Sequence, residues 1–514
     1  MYENYKWRET KSGVWQRDID EAELFYSALI KFNEGTGRMH FAITGHLSIT
    51  VPVPVSETSS PEETAWRLEQ SLQNGWLRLR HQSPTIASQV KYDTELGKWQ
   101  KTYETSPTDS AREAWLESTF KTVSTGQTGK EWANSDPPAP KRATLFVVAP
   151  PSSDNSLVRR DLVLRSPHDI IDGIGTLQLL NNLMKHTADA YAQAEDGPLS
   201  NLPAFDGSEV SRLSPPYRVA ANIPETPTPT QQQRLDAMKA DKSGKTEEDD
   251  PDVTNLSVPY KADGPKLPGK HQRVFITVPA SQTARLTAAL KKAAANATVT
   301  HAFHAAIAMT VRDVQPTVAT TSKVRYINYI LRNERSRCTP PYNTPDHAAA
   351  VYHSVSSGRL TVDMPAVCRD RNAEFVDILN QIRDYYLRVR DDAEHYALAP
   401  YIWTAGTPGI PKSVLESGKV MPVSEPNTTP SVSISSMGLV DRIVKSEHGE
   451  ISLYDPWVTG EELGTGLGLF LGTFRGELCL SGAYNDAWHD REEVLGFLER
   501  CRDVVFECLD GLGQ

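Results

Sequence analysis

The amino-acid sequence predicts an α/β protein, an α+β arrangement of two-layer domains in two comparable halves. The chain has 514 residues, which is too long for one ordinary hydrophobic core. Between about residues 223 and 252 it carries Pro-Thr repeats, three consecutive glutamines and the acidic run Glu247 to Asp250, a composition typical of a linker. On both sides, short β-branched runs alternate with segments of helical periodicity. We predict an N-terminal domain over residues 1–222, a crossover linker over 223–265 and a C-terminal domain over 266–514.

Helices and strands of the N-terminal half follow from local signals. Ser60, Pro61 and Glu63 form a capping-box pattern, which predicts a helix from there to just before Ser83. Short apolar runs predict strands at 143–148 and 161–165. Apolar residues at helical intervals follow over 174–184, so a strand-to-helix junction is expected between residues 165 and 174.

The same kinds of local signal predict the helices and strands of the C-terminal half. A strand is predicted over 273–278, followed by a helix capped by Ser281, a helix over 300–311, a strand over 324–331 and a long helix over 375–389. Strands at 467–474 and 477–484 and a final helix over 490–509 complete it. No fixed short repeat is present, which disfavours solenoids and propellers.

Composition and charge exclude several classes of protein. The net charge is −11 and no basic stripe occurs, so a nucleic-acid partner is not expected. The polar N-terminus does not look like a secretory signal and no apolar run is long enough to span a bilayer, which predicts a cytoplasmic protein without membrane contact. The five cysteines lack a Cys-x-x-Cys pair, so we expect neither a disulfide framework nor a metal site. We expect a monomer.

His168, in the segment His168-Asp169-Ile170-Ile171-Asp172-Gly173, is the candidate catalytic residue. Acyl transfer to an alcohol needs a base for the hydroxyl proton, and an imidazole at a strand end can serve because its pKa lies near neutral pH. Gly173 allows a tight turn into the following helix. Asp172 is expected to have an architectural role, paired with an arginine, because a buried carboxylate needs a cationic partner.

With these residues the sequence resembles the superfamily of CoA-dependent acyltransferases, which includes plant alcohol acyltransferases, chloramphenicol acetyltransferase and nonribosomal-peptide condensation domains. Within it, the sequence is most similar to the fungal trichothecene 15-O-acetyltransferase group. The resemblance runs through nearly the whole chain, on the helix at 76–81, the His-x-x-x-Asp-Gly motif, the linker, the helix at 300–306 and the segment 476–485.

The resemblance implies two chloramphenicol-acetyltransferase-like domains flanking a central tunnel, with His168 at its midpoint as general base. It further implies that Asp172 forms an ion pair with an arginine of the second half, for which Arg335 is the first choice and Arg332 the second. Ser435 and Ser436 occupy the region where some relatives place a hydroxyl near the oxyanion, and local hydrogen bonding is the alternative.

Two interpretations are open for several other side chains. Trp457 and Tyr484 are candidate tunnel residues or large core hydrophobes, and His301 and His304, three apart on a helix, are expected to pack rather than bind a metal.

Two departures from the family pattern bear on the subgroup. Pro167 stands where condensation domains usually carry a second histidine, which argues against a carrier-protein condensation enzyme. The Asp-Phe-Gly-Trp-Gly motif of the plant enzymes is missing, and its nearest counterpart is the poorly matching passage from Tyr454 to Trp457.

The predicted function is transfer of an acetyl group from acetyl-CoA, used as co-substrate without a bound cofactor, to a hydroxyl of a fungal secondary metabolite. A trichothecene or related sesquiterpenoid is the candidate acceptor. Two alternatives stay open: a condensation-like cyclase that uses the same tunnel without CoA, and a non-catalytic binding protein on this fold.

Overall fold

The structure, a computed structural model, describes residues 2–55, 60–151, 154–193, 202–243, 252–261, 269–315 and 321–510. The helices are α1 Glu21–Phe32, α2 Pro61–Gln82, α3 Asp109–Thr119, α4 Gly129–Ala133, α5 Gly173–Ala192, α6 Tyr217–Ala220, α7 Pro229–Ser243, α8 Ala280–Ala293, α9 Val299–Asp313, α10 Arg371–Asp391, α11 His395–Gly406, α12 Lys412–Ser417 and α13 Arg491–Asp510.

The strands are β1 Arg8–Lys11, β2 Val14–Asp18, β3 Ile43–Pro52, β4 Gln89–Asp93, β5 Lys98–Glu104, β6 Phe120–Val123, β7 Thr144–Val148, β8 Leu157–Ser166, β9 Val253–Asn255, β10 His271–Val278, β11 Lys323–Asn328, β12 Leu331–Asn333, β13 His353–Val355, β14 Leu360–Pro365, β15 Val432–Leu439, β16 Glu447–His448, β17 Ile451–Gly460, β18 Leu467–Phe474 and β19 Glu477–Asn485. The prediction of a mixed α/β chain is confirmed.

A six-stranded sheet in the order β16-β17-β3-β8-β7-β6 organises the first half. The alternate residues Leu47, Ile49 and Val51 of β3 are fully buried and pack with the apolar stripes of α2 and α5. The predicted cap of α2 is present, since the Ser60 side chain accepts a hydrogen bond from the Glu63 N–H.

A four-stranded sheet in the order β10-β19-β18-β15 organises the second half. Helices α8, α9, α10 and α13 pack with it around one continuous apolar core. Helix α8 begins at Ala280 after Pro279, so Ser281 lies in the first turn and is not the cap that its position predicts. A smaller sheet, β14-β11-β9, extends the same core.

The two sheets are joined by β17, which follows the second half in sequence but pairs antiparallel with β3 of the first sheet. The next strand, β18, returns to the second sheet. A bulge between Tyr454 and Trp457, with Asp455 at φ 51°, interrupts the β17–β3 pairing. The chain therefore crosses from one half to the other twice, outside the predicted linker.

The predicted linker is partly folded, in contrast to the unstructured segment that its composition predicts. Helix α7 occupies 229–243, where Leu235 is buried and Arg234 forms an ion pair with Asp392 at 2.5 Å. Strand β9 then pairs parallel with β11. The acidic run Glu247 to Asp250 lies outside the described residues. The domain boundaries at residues 222 and 265 stay a prediction.

Two further findings concern the described ranges alone. None of the helices there combines the length and the apolar character that crossing a bilayer requires. In the same ranges, no three His, Cys, Asp or Glu side chains are grouped closely enough to hold a metal ion.

Candidate active site

The segment that carries His168 joins the centre of the first sheet to a buried helix. Strand β8 pairs with β3 on one side and β7 on the other and ends at Ser166. A turn over residues 168–170 follows, and α5 begins at Gly173. Because both neighbours of β8 hold its backbone, the end of the strand is a rigid support for the imidazole.

The His168 imidazole is held by aromatic contacts. The Tyr26 ring of α1 stacks on it, with centroids 3.7 Å apart and an angle of 6° between the planes. The Tyr26 hydroxyl is hydrogen-bonded to His353 Nε2 at 2.8 Å, and the His353 ring centroid lies 5.4 Å from that of His168. Burial, with the His353 ring as a second cause, lowers the pKa of His168 to about 3. The imidazole is therefore neutral at physiological pH, as a proton acceptor must be.

The Asp172 carboxylate accepts three hydrogen bonds, two from backbone N–H groups and one from an arginine. Asp172 is the N-cap of α5, where Oδ1 accepts from the Gly175 N–H at 2.7 Å. Oδ2 accepts from Arg335 Nη1 at 2.9 Å and from the Tyr352 N–H at 2.8 Å. The Asp172 N–H donates to the Ala350 carbonyl. Although burial alone would raise the pKa of Asp172, the Arg335 guanidinium lowers it well below the ordinary value.

Of the two arginines left open by the sequence, the structure places Arg335 against Asp172. Both side chains are nearly inaccessible to solvent, so the pair spans the interface of the two halves in a buried setting. Arg332 points elsewhere, toward Glu334 at 3.2 Å and the Val389 carbonyl at 2.7 Å. None of the hydrogen bonds found in the described ranges joins Asp172 to His168, and Asp172 instead ties α5 to the segment around residue 350.

The glycine that close packing requires is Gly175 rather than Gly173. Gly173 is the first residue of α5, without a left-handed φ, and a Cβ there would meet Val458 and Met437 at ordinary contact distances of 3.6 and 3.7 Å. The turn into α5 is formed by residues 168–170 and does not depend on a glycine at position 173. At Gly175 a Cβ would lie 2.2 Å from the Ala348 carbonyl oxygen and 2.8 Å from Arg335 Nη2.

Gly175→Ala is therefore expected to destabilise the fold by about 1–3 kcal/mol, since backbone and a buried ion pair must both move. Urea denaturation measures the change. Gly496→Ala is the matched control, because Gly496 lies in exposed helix surface with nothing within 4 Å of the added Cβ. The control is expected to gain about 0.5–1 kcal/mol from helix propensity. Equal effects of the two substitutions would contradict the steric argument.

A network of buried charged side chains holds the turn that follows His168. Lys101 of β5 is fully buried and donates to the Asp169 carbonyl at 2.6 Å and to Glu23. Glu23 also pairs with Arg17 at 2.7 Å. The Asp169 carboxyl accepts from the Ser27 hydroxyl, and burial raises the pKa of Asp169 to about 6. The residue next to His168 is thus fixed through both its backbone and its side chain.

Two cavities lie near the motif, although His168 itself lines neither of them. The first has a volume of about 590 Å³ and lies where the two sheets separate, between the 454–458 part of β17 and the 470–475 part of β18. Val458 and Met437, which Gly173 touches, line it. The second has a volume of about 360 Å³, and its lining includes Phe41, whose ring centroid lies 6.5 Å from that of Tyr26.

The two serines of β15 point to opposite sides of the strand. Ser433 lines the second cavity, and Ser435 lies on the same face of the strand. A register shift between Ser436 and Gly438 breaks the alternation before Met437, which lines the first cavity. Ser436 faces the helix layer, where its hydroxyl is hydrogen-bonded to that of Thr300 at 2.8 Å. The local hydrogen-bonding alternative thus describes Ser436, and Ser435 remains the candidate near the reacting group.

The remaining candidates divide between cavity and core. Trp457 lines the first cavity. Tyr484 lies in the core of the second half and lines neither cavity. Along β19 it shares a face with Leu480, whereas Ser481 lies on the opposite face, toward the first cavity. His301 caps α9, and His304 is hydrogen-bonded to the hydroxyls of Tyr326 and Tyr386, which is the packing role expected of both.

Buried histidines make an acid-sensitive fold the expected result. Their folded pKa lies below the ordinary 6.5, so the unfolded chain binds more protons and stability is lost as the pH falls from about 6.5. Four buried carboxyls with raised pKa oppose this loss in part, namely Asp20, Asp169, Glu461 and Glu462. The histidines outnumber them: His40, His168, His186, His271, His301, His304 and His395, with pKa values of about 3 or 4.

The measurement is the urea midpoint at about pH 7 and about pH 5, where the midpoint at the lower pH is expected to be smaller. His304→Gln, which keeps a polar side chain between Tyr326 and Tyr386, should reduce the difference between the two midpoints. An equal or higher midpoint at the lower pH would mean that the four carboxyls dominate.

Sequence reasoning missed Tyr26, His353 and Lys101, which surround His168. Each lies far from the motif in the chain, at positions fixed by α1, β13 and β5. Lys101 carried the one usable signal. It lies two residues from both Trp99 and Tyr103, so in a strand it shares a face with two aromatic side chains, and that face is buried at Lys101 and Tyr103.

Several known proteins are similar to this chain in sequence or in fold. No family model matches the chain. Acetyltransferase pigO of Monascus ruber is 24% identical over 508 residues, covering 97% of each chain. O-acetyltransferase pigM of the same organism is 25% identical over 500 residues, covering 97% of this chain and 86% of that protein.

Among solved structures, the TRI3 trichothecene 15-O-acetyltransferase from Fusarium sporotrichioides superposes with a TM-score of 0.76 at 16% identity, over 99% of both chains. The epimerization domain from the third module of tyrocidine synthetase B superposes at 0.56 and 14% identity, over 98% of both. The two sequence relatives and the shared fold together support an acyltransferase.

Proposed function

We propose that this chain transfers the acetyl group of acetyl-CoA to a hydroxyl of a fungal secondary metabolite, with a trichothecene or related sesquiterpenoid as the candidate acceptor. The observation that carries the proposal is His168, a neutral imidazole on a rigid strand end, with two cavities nearby that the imidazole does not itself line. Two cavities allow donor and acceptor to be bound together, which a direct transfer requires. The names of the sequence relatives support acetyl as the transferred group.

The proposed reaction uses His168 twice. The imidazole takes the acceptor O–H proton as the oxygen attacks the thioester carbonyl, which gives a tetrahedral intermediate. When that intermediate collapses, the C–S bond breaks and the imidazolium returns the proton to the departing sulfur, so the products are the acetyl ester and free CoA thiol. Ser435 is the candidate donor to the oxyanion, and such a donor is worth about 3–4 kcal/mol.

Asp172 and Arg335 support this chemistry without entering it. Their ion pair and the backbone bonds to Gly175 and Tyr352 fix the start of α5 against the second half. Tyr26 limits the rotation of the His168 ring by stacking on one of its faces. A base held in this way needs little reorganisation when the proton moves.

The test is incubation of the protein with acetyl-CoA and a panel of hydroxylated sesquiterpenoids and polyketides. Mass spectrometry of the products and colorimetric detection of free CoA thiol are the readouts. An acetyl ester formed together with an equal amount of thiol supports the proposal. A changed product without thiol release would favour the cyclase alternative, and neither signal across the panel would favour a binding protein.

A further inference from the structure

The guanidinium of Arg273 has no carboxylate partner. Arg273 lies on β10, is 6% exposed and lines the first cavity. In the ion pairs identified over the described residues it takes no part, and its Nε has no hydrogen-bond partner there. Its one side-chain contact to a polar atom is Nη2 to the Cys479 sulfur at 3.8 Å, a weak acceptor. A buried charge without a partner is costly, so a function is needed to account for it.

The other cations of this cavity are already engaged. Lys130 forms an ion pair with Asp455 at 2.5 Å, and Arg159 is bonded to Asp161. Arg475 donates to the Ser446 carbonyl. Among the described residues, Arg273 is therefore the cation of the cavity with neither an ion pair nor a side-chain hydrogen bond to an oxygen.

A second unpartnered donor lies beside it. The Arg273 guanidinium stacks over the Trp457 ring at 4.1 Å, and the Trp457 Nε1–H is buried without a hydrogen-bond partner in the described part of the chain. Asn134 locks the position of Arg273, because its side chain both accepts from the Arg273 N–H and donates to the Arg273 carbonyl, each at 2.9 Å. Two donors on a fixed support suit an acceptor-only group.

We propose that Arg273 and Trp457 bind an anionic oxygen group, phosphate or carboxylate, of the substrate that occupies the first cavity. The register pairs Trp457 with His46 and His46 with Val163, three residues before the end of β8. The site thus lies roughly 10 Å along the strands and roughly 10 Å across them from the turn of His168. At that separation the pair acts on binding and not on the reacting carbonyl.

This inference rests on the proposed function for its substrates, and two sources supply such a group. One is a phosphate of CoA, carried at the far end of the pantetheine arm. The other is a carboxylate on the acceptor. Calorimetric titration distinguishes them with CoA against pantetheine, and with abscisic acid, a hydroxylated sesquiterpenoid carboxylate, against its methyl ester.

Arg273→Met is expected to weaken binding of the anionic member of one of these two pairs by about tenfold or more and to leave its neutral counterpart unchanged. Trp457→Phe keeps the aromatic ring under Arg273 and removes only the indole N–H, so a loss of about threefold to tenfold is expected in the same pair. Arg390→Met is the charge-matched control, since that side chain is 68% exposed on α10, and no change is expected.

Thermal melting without ligand gives the second readout. A binding residue that carries an unpaired buried charge should not stabilise the empty protein, so Arg273→Met is expected to melt at the same or a higher temperature. A lower melting temperature with unchanged affinity for all four probes would overturn the proposal. Binding is measured without turnover, so a failure of acetyl transfer would leave these titrations interpretable.

Discussion

Replacing His168 with alanine is expected to lower the rate of acetyl transfer by about 10²- to 10⁴-fold, the usual contribution of a general base. The His168 imidazole is neutral at physiological pH, and its Nδ1 has no hydrogen-bond partner among the described contacts. Its loss should reduce kcat and leave binding of acetyl-CoA intact. Thiol release under saturating acetyl-CoA measures the rate.

The matched control is His186→Ala, on the same helix as the motif but hydrogen-bonded to Gln82 of α2. It removes a partly buried imidazole outside the motif and should retain most of the rate. A thermal shift with acetyl-CoA reports whether each variant still binds its donor. Turnover retained by His168→Ala within about tenfold of the original would remove His168 from the mechanism.

Asp172→Ala is expected to cost about 3–5 kcal/mol of folding stability, because it leaves the Arg335 guanidinium buried without its partner. The loss of the α5 cap adds about 1 kcal/mol, since the Gly175 N–H loses its acceptor. Urea denaturation monitored by circular dichroism measures the total. Few single changes in this chain should have a larger effect on stability.

The double variant Asp172→Ala with Arg335→Met separates the two contributions. Removing both charges should recover much of the ion-pair term, and the cap term should persist. Asp172→Asn, which can still accept from the Gly175 N–H, should lose less than alanine. If the double variant were as unstable as the sum of both single variants, the two residues would not act as a pair.

The elements that the sequence predicted best carry their signal within a few residues. The Ser60 cap, the β8 strand before His168 and the β18–β19 hairpin are local patterns, and each is found at or within a few residues of the predicted bounds. Helix α7 escaped prediction because its apolar stripe is short. Its docking rests on Leu235 and on the pairing of Arg234 with Asp392, which no local pattern reveals.

The site was predictable only where its residues share one segment. His168 and Asp172 stand in one motif, whereas Tyr26 and His353 reach the same imidazole from α1 and β13. The choice between Arg335 and Arg332 depended on which side chain faces α5 after a turn, and spacing could not decide it. Whether Tyr484 faces the cavity or the core depends on which face of β19 it shares. That could be decided only once Ser481, on the opposite face, was known to line the cavity.

The placement of β17 has a consequence for biosynthesis. The ribosome delivers β3, β7 and β8 early, but the strand that covers the free edge of β3 is translated some four hundred residues later. Until then the nascent chain presents an unpaired, largely apolar edge, the kind of surface that recruits other strands. We expect a chain truncated before residue 447 to aggregate and an intact chain to depend on chaperones during synthesis.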